Sequence, residues 1–284
     1  MPADSPSISA HSEELTELVS DEVGTAVAER AGLRITRAGA VVTVALARPE
    51  KRNAQRPETW LTLAALGRVL PPDVRAVVVR GDGPSFSAGI DLSVVAEQAG
   101  GALPDEATIA SYQDGFTWLA RPEIVSIALV QGHAVGAGFQ LALACDLRVV
   151  ATDVQFRMAE TSLGLVPDLS GTEALVHLVG YARALEICLT GRRVGAQEAT
   201  ALGLATAVVD AGEFDAALED LLAALLAPPA GATVATKQLL LRTREQPGGR
   251  DGQLAAERHA QVGRLQELAA AARHAAEAAA PPEE

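Results

Sequence analysis

Short runs of apolar, β-forming residues alternate with longer stretches of helical character through most of this chain. That alternation predicts a layered α/β protein. Residues 33–37 and 41–46 are two such runs joined by Ala38, Gly39 and Ala40, and they predict a hairpin. Strands are predicted over 74–80, 124–130 and 147–151, with a further short one at 155–157. Helices are predicted over 57–70, where Trp60, Leu63, Ala64 and Gly67 fall on or near one face, and over 109–120 and 139–146. Helices dominate from Ser170 onward. Residues 1–30 form an acidic extension outside the core, 31–227 the core, and 228–284, after the break at Pro228 and Pro229, a helical C-terminal region. No period of solenoid or propeller length is visible.

The composition, 49% hydrophobic but only 3% aromatic, calls for a core built on Ala, Val and Leu. A formal charge of −13 argues against general nucleic-acid binding, which needs a basic face. Part of that acid sits in the N-terminal segment, which leaves room for a local basic pocket elsewhere. Cys145 and Cys188 have neither a CxxC partner nor metal-ligand spacing, which fits buried thiols in a reducing compartment. The acidic N-terminus has no apolar signal-peptide stretch, and no apolar run approaches the roughly 20 residues of a membrane span. The expectation is a soluble, cytoplasmic protein with no metal site.

Two glycine-bearing turns follow apolar β-type runs. One is Phe86-Ser87-Ala88-Gly89-Ile90-Asp91; the other runs from Gly132 through His133, Gly136, Ala137 and Gly138 to Gln140. Each reads as strand, turn, helix. Glycine allows close backbone approach, and a helix start leaves N–H groups without partners. Two such turns face to face can aim two donors at one oxygen, as an enzyme does for a developing oxyanion. Either turn alone is equally a tight strand-to-helix connection.

These turns sit in an ordered set of segments. Leu46 to Ala54 comes first, then Gly81 to Leu92, then Gln131 to Asp146, then Ala159-Glu160-Thr161-Ser162-Leu163-Gly164 through Asp168. In this order and spacing they resemble the crotonase family, the enoyl-CoA hydratase/isomerase superfamily, over roughly residues 33–265. The resemblance implies a spiral of ββα repeats with a C-terminal helical region used in oligomer formation, as a trimer or a dimer of trimers. It implies an acyl-CoA thioester substrate, with coenzyme A as part of that substrate and no separate cofactor. It places the oxyanion-binding amides at Ile90 and Ala137. It also assigns Arg48, Lys51, Arg52 and Ala54, with Asp91 and Leu92, to the CoA-binding region; by charge alone the basic segment is equally an exposed loop.

Glu160 matches the family's catalytic glutamate. A carboxylate beside a thioester can remove a proton next to the carbonyl and return it elsewhere, and apolar neighbours such as Met158 and Leu163 would raise its pKa. On the residues alone, pairing with Arg157 is the competing reading. Gln140 stands where hydratases of the family usually carry a second glutamate. An amide can hold water but cannot exchange a proton at neutral pH. Gln140 could equally reach back to a backbone N–H in its own first helical turn. Asp168 lies near a working aspartate of some family isomerases and a dehalogenase, yet Pro167-Asp168 is also turn chemistry, with Ser170 and Glu173 spaced as a capping box.

The function expected is that of an enoyl-CoA isomerase or hydratase of fatty acid metabolism, with catalytic inactivity and plain acyl-CoA binding as the alternative. Phe116, Trp118 and Phe139 are candidates for the acyl tunnel. At the C-terminal end the family's Phe- and Lys-containing segment over CoA is replaced by 261–268, although Lys237 keeps a family-like position.

Overall fold

The glycine link closes the predicted hairpin: β1 (Leu33–Ala38) pairs antiparallel with β2 (Val41–Leu46), Gly39 turning at φ 56°. A computed structural model describes residues 25–99 and 103–245, together with Arg258 and Gln261. Residues 1–24, the alanine-rich stretch 265–280 and all of 261–268 except Gln261 lie outside the described residues. Two compact units divide the chain, Met1–Ala223 and Ala224–Glu284.

In the first unit, β3 (Ala76–Gly81) runs parallel to β2, and β4 (Val125–Val130) parallel to β3. β6 (Leu147–Ala151) follows β4, and β9 (Ala207–Val209) follows β6, both parallel. The sheet order is β1-β2-β3-β4-β6-β9. Nearly every residue of β3 and β4 is buried, as expected of parallel strands covered on both faces. A second sheet contains β5 (His133–Val135), β7 (Gln155–Arg157) and β8 (Arg193–Gly195), in the order β5-β7-β8. The short strands β5, β8 and β9 were not expected; three residues are too few to show an alternation.

The chain visits the two sheets in turn and then enters a helix. β3 leads through Ser87, bridged to Ala134, into α3 (Leu92–Ala99). β4 and β5 lead into α5 (Ala137–Ala144), and β6 and β7 into a 3-10 turn at Glu160–Leu163 and then α6 (Gly171–Val179). This is the ββα repeat. α1 (Thr25–Arg30), at the end of the N-terminal extension, places Ala28 in the core. α2 (Pro57–Val69) packs on α4 (Glu106–Thr117) through Trp60, whose ring centroid is 6.5 Å from that of Phe116. Phe139 packs on Phe156 at 4.7 Å, and Phe116, Phe139 and Trp118 are all buried. α7 (Tyr181–Thr190) and α8 (Ala196–Ala201) precede α9 (Phe214–Leu226). In the second unit α10 spans Ala230–Glu245.

Candidate active site

The ββα crossings bring the two glycine turns side by side. Ser87 N–H donates to the His133 carbonyl at 2.9 Å, and Val135 N–H donates to the Ser87 carbonyl at 3.0 Å. Gly89, at φ +86°, comes so near the second turn that a Cβ there would stand 2.5 Å from the Val135 carbonyl oxygen and 3.5 Å from the Ala137 nitrogen. The Gly89 carbonyl accepts from Gln55 N–H at 2.7 Å. Because a trans peptide sets its C=O and N–H in opposite directions, the Ile90 N–H is turned away from Gln55. The Gly136 carbonyl likewise accepts from Gln140 N–H at 2.9 Å, so the Ala137 N–H points out of the start of α5. Neither amide donates a backbone hydrogen bond among the described residues.

Glu160 stands beside this pair. A Cβ on Gly136 would lie 3.3 Å from Glu160 Oε1. Glu160 is 8% exposed, and Gln140 Nε2 donates to its Oε1 at 2.7 Å. Its Oε2 is shielded from solvent and has no hydrogen-bond partner among the described residues. Burial is the largest influence on this carboxyl and raises its pKa; the nearby Asp168 charge pushes the same way, while the Gln140 bond pulls against both. Met158, in the chain just before it, is buried, but Leu163 is 47% exposed. Arg157 is not its partner: the Arg157 Nε donates to the Gly191 carbonyl at 2.7 Å.

Gln140 does more than contact Glu160. Its Oε1 accepts from Leu169 N–H at 2.9 Å and from Gly171 N–H at 3.2 Å, so its amide ties the Glu160 carboxyl to the start of α6. This replaces both local expectations. The Gln140 side chain does not cap its own helix, and Ser170 makes no side-chain cap because it is held in the left-handed region at φ 69°. The two backbone donors also fix which end of the Gln140 amide is oxygen.

Asp168 is half-buried, and burial raises its pKa. Its carbonyl accepts from Gln113 Nε2 at 2.7 Å. Burial also raises the Cys188 thiol, helped by the Glu160 charge. Among the described residues no group of three His, Cys, Asp or Glu side chains is placed to hold a metal ion.

The basic segment divides into two roles. The Arg48 guanidinium donates to the Ala54 carbonyl at 2.8 Å and to Asp91 Oδ2 at 3.0 Å. Burial works to raise Asp91, but bonds from Arg48 and Ser93 outweigh it and hold the carboxyl below its usual range. Arg48, Ala54 and Asp91 therefore form one internal lock beside Ile90. Lys51 and Arg52 are exposed, and Leu92 is 64% exposed. Asn53, Gln55 and Ser87, buried beneath the first turn, escaped the sequence reading; the one signal of Asn53 and Ser87 was polarity inside motif segments otherwise read for charge and glycine, and Gln55 lies just past the first segment.

The enoyl-CoA hydratase/isomerase family profile matches residues 36–272. A protein from Thermobifida fusca YX assigned as an enoyl-CoA hydratase, solved with acetoacetyl-CoA, is 49% identical and superimposes with a TM-score of 0.81 over 85% of this chain and 97% of that one. A 4-chlorobenzoyl coenzyme A dehalogenase of Arthrobacter sp is 36% identical over 193 residues, 66% of this chain and 70% of the relative. Carnitinyl-CoA dehydratase of Salmonella enteritidis is 35% identical over 218 residues, 76% of this chain and 82% of the relative. With its paired glycine turns and its ββα crossings, this chain belongs to the crotonase family of enoyl-CoA hydratases and isomerases.

Proposed function

We propose that this protein is an acyl-CoA enzyme that shifts a double bond by proton transfer, using Glu160 as its one base. The Ile90 and Ala137 amides receive the thioester oxygen, where two preorganised donors stabilise the negative charge of an enolate. Glu160 Oε2 removes a proton from C2 of a 3-enoyl thioester. The electrons of that C–H bond form the C1–C2 double bond of a dienolate, and the charge rests on the thioester oxygen. The carboxylic acid then returns its proton at C4, the double bond settles between C2 and C3, and Glu160 is again a carboxylate. A raised pKa suits both halves of this exchange.

The observation that carries the reading is the bonding of Gln140. Both acceptor positions of its carbonyl oxygen are taken by Leu169 and Gly171, and its nitrogen donates to Glu160. It has no acid or base to offer a water molecule. The acyl-CoA relatives, and the acetoacetyl-CoA bound to the Thermobifida protein, support the substrate class. The exposed Lys51 and Arg52 are suited to the phosphates of CoA, with the Arg48–Asp91 lock shaping the backbone between them and Ile90. By the same kinship we assign assembly as a homo-oligomer, a trimer or a dimer of trimers.

The test is product identity with 2-enoyl- and 3-enoyl-CoA. Conversion of 3-enoyl- to 2-enoyl-CoA, abolished by Glu160→Gln, is the expected result. A 3-hydroxyacyl-CoA product without isomerisation would refute the one-base route. Tight acyl-CoA binding with no turnover across chain lengths would favour a binding protein that has lost catalysis.

A further inference from the structure

The first turn rests on a buried polar network that the chemistry above does not use. Ser87 is completely buried, and its hydroxyl has three partners. Ser87 Oγ donates to the Asn53 carbonyl at 2.8 Å and accepts from Gln55 Nε2 at 3.0 Å and from Gly89 N–H at 3.2 Å. Gln55, also completely buried, accepts from Trp60 Nε1 at 2.8 Å through its side-chain oxygen. Its backbone grips both flanks of Ile90: Gln55 N–H donates to the Gly89 carbonyl at 2.7 Å, and Asp91 N–H donates to the Gln55 carbonyl at 2.8 Å.

These bonds act on the peptide that carries the Ile90 N–H. The Gly89 carbonyl and the Ile90 N–H belong to one rigid plane, so the hold of Gln55 on the carbonyl sets the direction of the amide. Ser87 Oγ and Trp60 Nε1 in turn hold the Gln55 side chain at its two ends. The same serine faces the other turn. A Cβ on Gly138 would lie 2.6 Å from Ser87 Cβ and 2.9 Å from its Oγ, so the start of α5 lies directly on Ser87. One side chain thus touches the supports of both amides.

Resting on the oxyanion-hole assignment above, the geometry points to Ser87 as a positioning residue that sets the spacing and direction of the Ile90 and Ala137 donors, with Gln55 and Trp60 as its second support. Misplacing a donor costs rate while leaving most of the binding surface of an acyl-CoA untouched. The network is buried and each of its side-chain polar atoms has a partner, so it holds one geometry rather than a family of them.

The test uses the full chain and its Ser87→Ala and Trp60→Phe variants. The probe is a cinnamoyl-CoA bearing a para-amino donor, whose absorption moves to longer wavelength when its thioester carbonyl is polarised. Wild type should show a red shift on binding. Ser87→Ala should lose most of that shift and reduce kcat about tenfold to a hundredfold, with the Kd for a saturated acyl-CoA changed less than about threefold. Trp60→Phe keeps an aromatic ring but removes the indole N–H with its bond to Gln55, and should lose a smaller part of the shift. A merely structural serine would change the melting temperature and leave the shift of the bound probe intact. A folded Ser87→Ala protein with the wild-type shift and kcat overturns the proposal; should that variant fail to fold, an unchanged shift in Trp60→Phe overturns it. Wild type that binds the probe without any red shift refutes the oxyanion-hole reading itself, and this proposal with it.

Discussion

Replacing Gln140 by leucine isolates the joint between the Glu160 carboxyl and the start of α6. The side chain is 1% exposed and makes hydrogen bonds of 2.7, 2.9 and 3.2 Å. The bond to the Glu160 carboxyl contributes about 1.5–3 kcal/mol if the group is charged, and each bond from a backbone amide about 1 kcal/mol. Leucine recovers about 1 kcal/mol through its added apolar surface. The expected loss is therefore about 2.5–4 kcal/mol, or roughly 5–16 °C in melting temperature for a protein of this size. Urea denaturation at fixed pH measures it. Gln140→Glu is the matched control, because a carboxylate still accepts from Leu169 and Gly171 but sets a second charge against Glu160. Like charges at this distance raise the folded-state pKa. The folded control then binds more protons than the unfolded chain between the ordinary carboxylate range and that raised value. Its deficit must grow as pH rises through that window and shrink below it. A Gln140→Leu loss under about 1 kcal/mol, or a Gln140→Glu deficit that is flat with pH, would refute the joint.

Other consequences are as direct. Glu160→Gln should reduce isomerisation about a hundredfold or more while acyl-CoA binding persists, as calorimetry would show. Because burial raises the Glu160 pKa, its ionisation costs stability as pH rises through the folded value; the variant should therefore be the more stable protein at neutral pH, an advantage lost below the ordinary carboxylate range. Gly89→Ala combines φ +86° with a 2.5 Å approach to the Val135 carbonyl and should cost about 2–5 kcal/mol, whereas Gly164→Ala, at φ +74° with nothing within 4 Å, should cost about 1–2 kcal/mol, both by chemical denaturation. A double-mutant cycle of Arg48→Ala and Asp91→Ala should give a coupling of up to about 1 kcal/mol that falls with added salt.

The parts of this fold that were legible in the sequence are those fixed by local chemistry. β3 and β4 are continuous apolar runs because they are covered on both faces, and Gly89 and Gly136 announce backbone conformations that other residues avoid. The links between them were not legible. Gln140 reaches residues 29 and 31 positions away, and nothing near it in sequence forecasts that partner. The local rules failed where tertiary contact overrode them: Ser170 lost its cap to a left-handed backbone, and Arg157 turned to Gly191 rather than to Glu160. Ser87 sits within its motif between Phe86 and Ala88 with nothing local to mark a role. Its place in the network emerged only when Asn53 and Gln55 were brought beside it.

An amide at Gln140 is consistent with the rest of the pocket. Burial already penalises the ionised form of Glu160, and Asp168 adds to the penalty. A second carboxylate at 2.7 Å would raise that barrier again and make the two groups titrate as a pair. Gln140 instead supplies a donor without a charge. It lowers the cost of ionising Glu160, holds Oε1, and leaves Oε2 without a hydrogen-bond partner among the described residues, as the proposed proton transfer requires. The same amide is anchored by Leu169 and by Gly171 at the start of α6, so a displacement of that helix start would move the Glu160 carboxyl. In the proposed site the oxyanion donors come from the two glycine turns, and the Glu160 carboxyl is registered to α6. The bonds of Gln140, together with the approach of Gly136 to the Glu160 carboxyl, keep the two halves in one frame.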